Sequence, residues 1–405
     1  MKVLMLGSDA VILQDGTEAR ERMRWYASAF DELHVVVMGH AMPYVDKAKF
    51  SKKLSFIERS VHATADTKAP NLYLYHATAG TNTGLRFALF LAARQVLRSA
   101  TIDVISVQSP DEVGLVGYFL ARRFRVPLQI QIHTDVFSPH YRRAGVKERI
   151  RYHVARWLIP RASCIRVVSE RIKNSILGTA SHELGAEISV FPIYTNISRF
   201  QSAARDLKTD ERFKEYDFKM IAIGRFVDKE KNFTMLINIM REFVKVCPKA
   251  LLVIAGDGPD RVKYESRIRN YGLENNITLE KWRDDLPSFF KSFDLYVLSS
   301  DYEGWGRTVI EAMAAGLPVV MTDVGLAGEI VRHNENGIVV AVGDQDGFVQ
   351  ALVGILRDPA RLRQLREGAK KTAEAIAETT LSTYLQKYRD VFICCVAMKR
   401  APQSR

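Results

Sequence analysis

The sequence predicts an α/β protein of two doubly wound domains facing each other across a cleft. Three observations carry this. Short β-branched runs alternate with helical patterns along the whole chain. The alternation stops once and then restarts. The stretch between the two series, Asn196–Asp217, is polar and lacks strong periodicity. Alternating strands and helices build parallel sheets covered by helices on both faces. Two complete series in 405 residues make two domains. The expected boundaries are 1–195 for the first, 196–217 for a linker and 218–378 for the second. Ligands of such sheets bind beyond the carboxyl ends of the strands, so two facing domains imply one cleft to which both contribute.

In the first series, strands are expected at Lys2–Ser8, Leu33–Met38, Leu72–His76, Asp103–Val107, Leu128–His133, Cys164–Val168 and Ile188–Phe191. Helices are expected at Gly16–Phe30, Leu85–Leu97, Asp111–Phe124 and Lys147–Leu158. The second series repeats the rhythm with strands at Lys219–Ile223, Leu251–Ala255, Ile277–Glu280, Leu295–Ser299, Val319–Thr322 and Ile338–Val340. Its helices are expected at Phe233–Val246, Asp260–Tyr271, Val309–Ala315 and Phe348–Leu356. A last helix, within about 380–395, follows the second series and is expected to pack back on the first domain, and the basic tail Met398–Arg405 is expected to be disordered.

Composition bounds the function. A hydrophobic share of 47% suffices for two packed cores, which excludes a disordered chain. No apolar run reaches 18 residues, so no membrane-spanning helix is expected, and Met1–Gly7 reads as a buried strand rather than a signal peptide. Cys164, Cys247, Cys394 and Cys395 show no metal-ligand or redox spacing, so reduced thiols in a cytoplasmic protein are the expectation. The formal charge of +12 is uneven. Residues 1–200 hold 27 Lys/Arg against 17 Asp/Glu, and residues 201–405 hold 31 against 29. A basic first half suits an anionic surface, whether membrane, nucleic acid or phosphorylated acceptor, and equally suits a solvated face.

The chemistry concentrates in Asp301–Gly316 (DYEGWGRTVIEAMAAG). A buried strand runs into a glycine-bearing loop and then into a helix that ends at Gly316, with Pro318 beyond. The amides and dipole at such a helix start attract phosphate. Gly304 and Gly306 permit close backbone approach, and Glu303 and Glu311 reach one ligand at two points. Carboxylates accept two hydrogen bonds, which suits the vicinal hydroxyls of ribose and of a sugar. Alone, the two glutamates are an ordinary loop charge and an ordinary first-turn charge.

They are not alone. Glu-Gly-aromatic-Gly-x6-Ala-x-Ala-x-Gly-x-Pro-Val-Val, as it stands in Glu303–Val320, resembles the signature of retaining GT-B glycosyltransferases, specifically glycosyltransferase family 4. Gly224-Arg225-Phe226 followed by Lys231-Asn232 resembles the family's phosphate clamp, Ala255–Pro259 its Gly-x-Gly turn, and Gln131–Asp135 the strand end where the family keeps a cleft histidine. The resemblance covers the second domain well and the first loosely. It implies two Rossmann-like domains, a GDP- or UDP-sugar co-substrate with mannose mildly preferred, and no cofactor or catalytic metal. Glu303 and His133 are then the catalytic pair, Glu303 at the reacting centre and His133 at the transferred sugar. Arg225 and Lys231 hold the diphosphate and Glu311 the ribose. Gly306, Arg307 and Thr308 at the helix start, with Gly16 and Thr17 opposite, complete the donor site. Two departures stand out. Asp15–Glu18 has one glycine where relatives have a pair, and Val190–Phe200 lacks the usual Asn-Gly.

Tyr141–Lys173 holds ten cations against Glu148 and Glu170. Within it Val146, Ile150, Val154, Trp157 and Leu158 fall at helical spacing, so 146–159 reads as a basic amphipathic helix. It is either an interfacial helix on an anionic membrane, at its inner face, or a core-facing helix with a charged outer side. The expected activity is transfer of a hexose to an unknown acceptor, such as a lipid-linked glycan or a cell-surface polysaccharide precursor. The alternatives are a GT-B sugar-nucleotide epimerase or hydrolase, and a basic RNA- or membrane-binding protein without transferase activity. The last lacks the interleaved aromatics of RNA-binding sheets, though nucleic acid as acceptor stays open.

Overall fold

A computed structural model describes residues 1–39, 61–180, 184–283 and 285–400. The first sheet comprises β1 (Lys2–Gly7), β2 (Glu32–Met38), β3 (Val61–Asp66), β4 (Ala69–Ala77), β5 (Val104–Val107), β6 (Leu128–Ile132), β7 (Cys164–Val167) and β8 (Glu187–Val190). Their order is β3-β4-β2-β1-β5-β6-β7-β8, parallel throughout except for the β3–β4 edge pair. Around it lie α1 (Glu18–Ala27), α2 (Asn82–Ser99), α3 (Glu112–Phe124), α4 (Pro139–Arg143), α5 (Val146–Leu158) and α6 (Glu170–Ala180). Two short helices, α7 (Ile197–Gln201) and α8 (Leu207–Arg212), lead to the second sheet.

The second sheet is β9 (Phe218–Ile223), β10 (Ala250–Ala255), β11 (Ile277–Glu280), β12 (Leu295–Leu298), β13 (Val319–Thr322) and β14 (Gly337–Val340). It is wholly parallel, in the order β11-β10-β9-β12-β13-β14. Its helices are α9 (Asp228–Lys231), α10 (Phe233–Phe243), α11 (Arg261–Asn270), α12 (Leu286–Phe290), α13 (Arg307–Ala314), α14 (Gln345–Arg357) and α15 (Pro359–Ala377), followed by α16 (Leu381–Arg400). Strand order reverses at β1/β5 in one sheet and at β9/β12 in the other. Those two switch points are where doubly wound sheets bind ligands.

Local chemistry explains the starts. Central strands such as β1, β6, β9 and β10 are buried almost end to end, as parallel strands covered on both faces must be. Several helices begin on a side-chain cap: Thr17 accepts from the Arg20 amide, Asp111 from Val113 and Asn232 from Met235. Asp344 and Asp358 do the same for α14 and α15.

The structure amends several expectations. The antiparallel edge strand β3, helix α6 and the long helix α15 belong to the fold and were not expected from periodicity. The stretch 196–217 is not a plain linker, since α7 packs against α12, α13 and α15 of the second domain. Helix α16 lies on β5, β6 and β7 of the first domain. It continues through Arg400, so the start of the tail expected to be disordered is helical; residues 401–405 lie outside the described residues. Tyr26 stacks on Tyr388 at 4.4 Å, and Tyr388, Phe392 and Cys395 are fully buried. The expectation of four reduced cysteines is corrected. Cys164 in β7 and Cys395 in α16 form a disulfide across 231 residues of sequence. Spacing rules search neighbours in sequence, and this pair is adjacent only in the fold.

Candidate active site

The end of β12 organises the cleft. Ser299 Oγ donates to the carbonyl oxygens of Lys231 (2.8 Å) and Asn232 (3.0 Å), and Asn232 Nδ2 donates to Asp301 Oδ1 at 2.8 Å. These bonds tie the turn after β9 to the loop after β12 and set Lys231 over Glu303. Lys231 Nζ lies 2.5 Å from Glu303 Oε1, which also accepts from Ser300 Oγ at 2.8 Å. Glu230 approaches Lys231 at 3.5 Å. Burial opposes the Lys231 charge, but Glu303 and Glu230 outweigh it and raise the pKa. The ammonium is therefore charged at neutral pH.

The loop then crosses to the first domain. A Cβ added to Gly304 would lie 1.8 Å from the His133 carbonyl oxygen, so only glycine fits this contact. Ser169 Oγ donates to Gly304 O at 3.1 Å, and Tyr302 meets Tyr141 of α4 edge-on at 5.2 Å. Gly306, at φ +83°, caps α13 without a side-chain bond, leaving the first-turn amides free of side-chain caps. Thr308 Oγ1 meets the Tyr296 hydroxyl at 2.7 Å, and Tyr296 lies within the fields of both Glu303 and Glu311.

Glu311 is 3% exposed. One carboxylate oxygen takes Arg307 Nε at 2.8 Å, and the other has no hydrogen-bond partner among the described residues. Burial pushes its pKa up, with Arg307 pulling against it. A second Arg307 nitrogen reaches Glu18 of the first domain at 2.8 Å, just past Gly16 and Thr17. Thr17 itself caps α1 and donates to Gln14 O at 2.9 Å.

His133 leaves β6 at its carboxyl end. Its Nε2 meets Gln108 Oε1 at 3.3 Å. Burial first, then the charges of Arg166 and Arg22, pull its pKa down to about 3, so the ring is neutral. A 280 Å³ cavity adjoins it, lined from both domains by His133, Asp111, Tyr302, Arg225 and Glu230 among others. Arg225 extends into the cleft and pairs with Glu230 at 2.9 Å rather than with Glu303. A second interdomain cavity of 380 Å³ lies on the other side of Tyr302 and is lined by Asp135, Arg171, Asp301 and Glu303. Asp135 accepts from Ser175 and the Phe137 amide, so it ties its own loop together.

The structure thus joins Lys231 to Glu303, Arg307 to Glu311, and the glutamate loop to His133. Gly16 and Thr17 are brought to Arg307 only through Glu18. Glu18, Glu230, Gln108 and Tyr302 are cleft residues that motif reading passed over; Glu18 and Glu230 were visible as neighbours of motif residues. Among the described residues no group of three metal-ligating side chains is present.

Comparison with known proteins agrees with this geometry. Residues 204–372 match the family pattern "Glycosyl transferases group 1", and residues 16–180 match "Glycosyl transferase 4-like domain". The chain is 24% identical over 361 residues to a putative glycosyltransferase, EpsD, of Bacillus subtilis, covering 88% of each chain. It is 26% identical to the UDP-Gal:alpha-D-GlcNAc-diphosphoundecaprenol alpha-1,3-galactosyltransferase of Escherichia coli, covering 65% of this chain and 69% of that one. Its fold matches Anabaena HepE solved in complex with UDP-glucose (TM-score 0.70, 19% identity, 97% and 99% covered). It also matches sucrose-phosphate synthase of Thermosynechococcus elongatus (TM-score 0.75, 20% identity, 97% and 99% covered). With two Rossmann-like parallel sheets and both halves matched, the chain belongs to the glycosyl transferases group 1 family, a GT-B glycosyltransferase of the family 4 type.

Proposed function

We propose that this enzyme transfers a hexose from a nucleoside-diphosphate sugar to a hydroxyl acceptor with retention of anomeric configuration. The observation that carries the reading is the Lys231–Glu303 contact at the β9/β12 switch point, held against His133 by Gly304. Lys231 and Arg225 supply fixed positive charge for the diphosphate as its bond to the sugar breaks. Glu311, with an unpartnered oxygen, takes the ribose hydroxyls, and the Gly306–Thr308 amides take phosphate. Glu303 holds the sugar and stabilises positive charge at the anomeric carbon. The acceptor oxygen attacks from the face that the diphosphate leaves, and the departing phosphate oxygen takes the acceptor proton. No metal enters this scheme.

Neighbouring structures carry UDP and UDP-glucose, while the family resemblance points to GDP-mannose, so both bases belong in one screen. At a hundredfold excess over its Kd, a bound ligand stabilises the fold by about 2.7 kcal/mol. One nucleotide series is therefore expected to raise the melting temperature by several degrees. A flat response to UDP, GDP and their sugars would overturn the reading. Release of free sugar at full rate without acceptor would instead favour a hydrolase or epimerase.

A second proposal concerns where the enzyme works. In α5 the buried side is Ala155 and Leu158. Val146, Ile150 and Trp157, on the opposite side, are 69%, 60% and 40% exposed, with Lys147, Arg149 and Arg156 beside them. Val146 and Ile150 facing solvent between cations fit an anionic lipid surface, while Trp157 lies edge-on to the buried Tyr118 ring at 5.1 Å and edges the patch. The same helix presents Glu148 and Arg151 to the cleft, so a lipid-linked acceptor on that surface lies within a helix diameter of the site. The Val146→Glu, Ile150→Glu double variant is expected to lose co-sedimentation with phosphatidylglycerol vesicles by about tenfold or more, at unchanged melting temperature. Equal binding to neutral vesicles, or undiminished binding by the variant, would refute it.

A further inference from the structure

The face of the first sheet beneath α16 carries polar groups where a covered parallel sheet calls for apolar ones. Ser106, Gln129, Gln131 and Arg166 are each at most 1% exposed. Register sets Ser106 beside Gln129 and Gln131 beside Arg166, and the two-residue strand period places His133 on the side of β6 that bears both glutamines. The groups form one ladder. Gln131 Nε2 donates to Ser106 Oγ (2.9 Å) and to the Tyr388 hydroxyl (3.2 Å), and Arg166 donates to Gln131 Oε1 (2.5 Å).

Arg166 also donates to the carbonyls of Phe191 (3.1 Å) and Pro192 (3.0 Å), and its guanidinium lies 5.0 Å from the Tyr388 ring centroid. Tyr384 donates to the same Pro192 carbonyl at 3.0 Å. Among the described residues no carboxylate pairs with Arg166. A buried cation held by neutral acceptors and aromatic rings, without a counter-ion, is expensive to keep, and an apolar side chain would pack this interior more cheaply.

We propose that Arg166 is a positioning residue for His133, acting through Gln131 and through the Tyr384–Tyr388 pair it anchors, so that the returning helix α16 is a working part of the cleft. This rests on the reading of His133 as the group beside the transferred sugar. Positive charge develops at the anomeric carbon during transfer, and an imidazolium there would oppose it. The charged groups bearing on the ring are Arg166 from β7 and Arg22 from α1. Gln108 of the β5 loop is its neutral partner, and the Gly304 backbone meets the His133 main-chain carbonyl rather than the ring. In the adjoining cavity Arg225 is paired with Glu230, and Asp111 with Arg151.

The test combines nucleotide-sugar turnover with the imidazole nitrogen NMR signals of His133. In Arg166→Met, kcat is expected to fall about tenfold or more while the donor KM changes less than about twofold, with partial recovery in Arg166→Lys. The His133 signal, expected to stay that of a neutral ring around neutral pH in the parent, is expected to shift and broaden in Arg166→Met. Gln131→Leu cuts the same ladder without removing a charge and serves if the methionine variant fails to fold; it is expected to lower kcat in the same way. A folded Arg166→Met or Gln131→Leu with parental kcat and an unchanged His133 signal overturns the proposal. Full turnover by His133→Ala would overturn the reading of the ring's role. A displaced His133 signal in Arg166→Met would still establish the coupling.

Discussion

Replacing Glu303 by Gln, or Lys231 by Ala, is expected to reduce transfer by about a thousandfold, because in the proposed scheme each removes a charge that acts at the reacting centre rather than a packing group. The two side chains are 11% and 16% exposed and face each other at 2.5 Å. Single variants leave one charge unpaired but near compensation, since Glu230 stands 3.5 Å from Lys231 and Ser300 donates to Glu303. A stability loss of about 1–3 kcal/mol is expected, too small to unfold the chain. Turnover assays at several donor concentrations, with a melting curve for each variant, separate the two effects. Glu303→Gln with parental kcat would remove Glu303 from the mechanism. The double variant is expected to be no slower than the worse single one, because residues acting as a unit are not additive.

Gly304→Ala is expected to cost about a hundredfold in kcat while nucleotide affinity stays near parental, since misplacement of about 1 Å at a reacting centre carries that penalty. The added Cβ would meet the His133 carbonyl at 1.8 Å and the Thr134 Cα at 3.0 Å. Those are backbone atoms of a buried strand end, so the domains themselves must separate. Lys231 and Glu311 belong to the second domain and keep their places. Small-angle scattering should report a larger radius of gyration for the variant, and the melting temperature should change little. Parental turnover with parental dimensions would show that the closed contact is dispensable.

Much of the fold was legible because parallel strands are nearly continuous apolar runs, and β6, β9, β10 and β13 stand within a residue or two of their expected limits. Helix α15 escaped because its sequence, PARLRQLREGAKKTAEAIA, buries mainly Leu365, Ala369 and Ala373, a stripe too narrow to stand out; Asp358 and Pro359 were the readable start. The edge strand β3 pairs antiparallel in an otherwise parallel sheet, which alternation of strand and helix does not signal. In the site, motif spacing pointed to Glu303, Lys231 and Glu311. It was blind to Arg307 reaching Glu18 across 289 residues and to Arg166 reaching Tyr384 across 218, since such contacts exist only once the chain has returned on itself.

The Cys164–Cys395 bond has a topological consequence. It closes a covalent ring that contains every strand of the second sheet, from β9 to β14, together with α15 and most of α16. The second domain is thus a bead threaded on a loop whose two ends are clasped by the first. A single protease cut anywhere between the two cysteines would leave both fragments joined, migrating as one band until a reductant is added. Melting of the second domain alone would not release it, so it would refold tethered at both ends beside its partner.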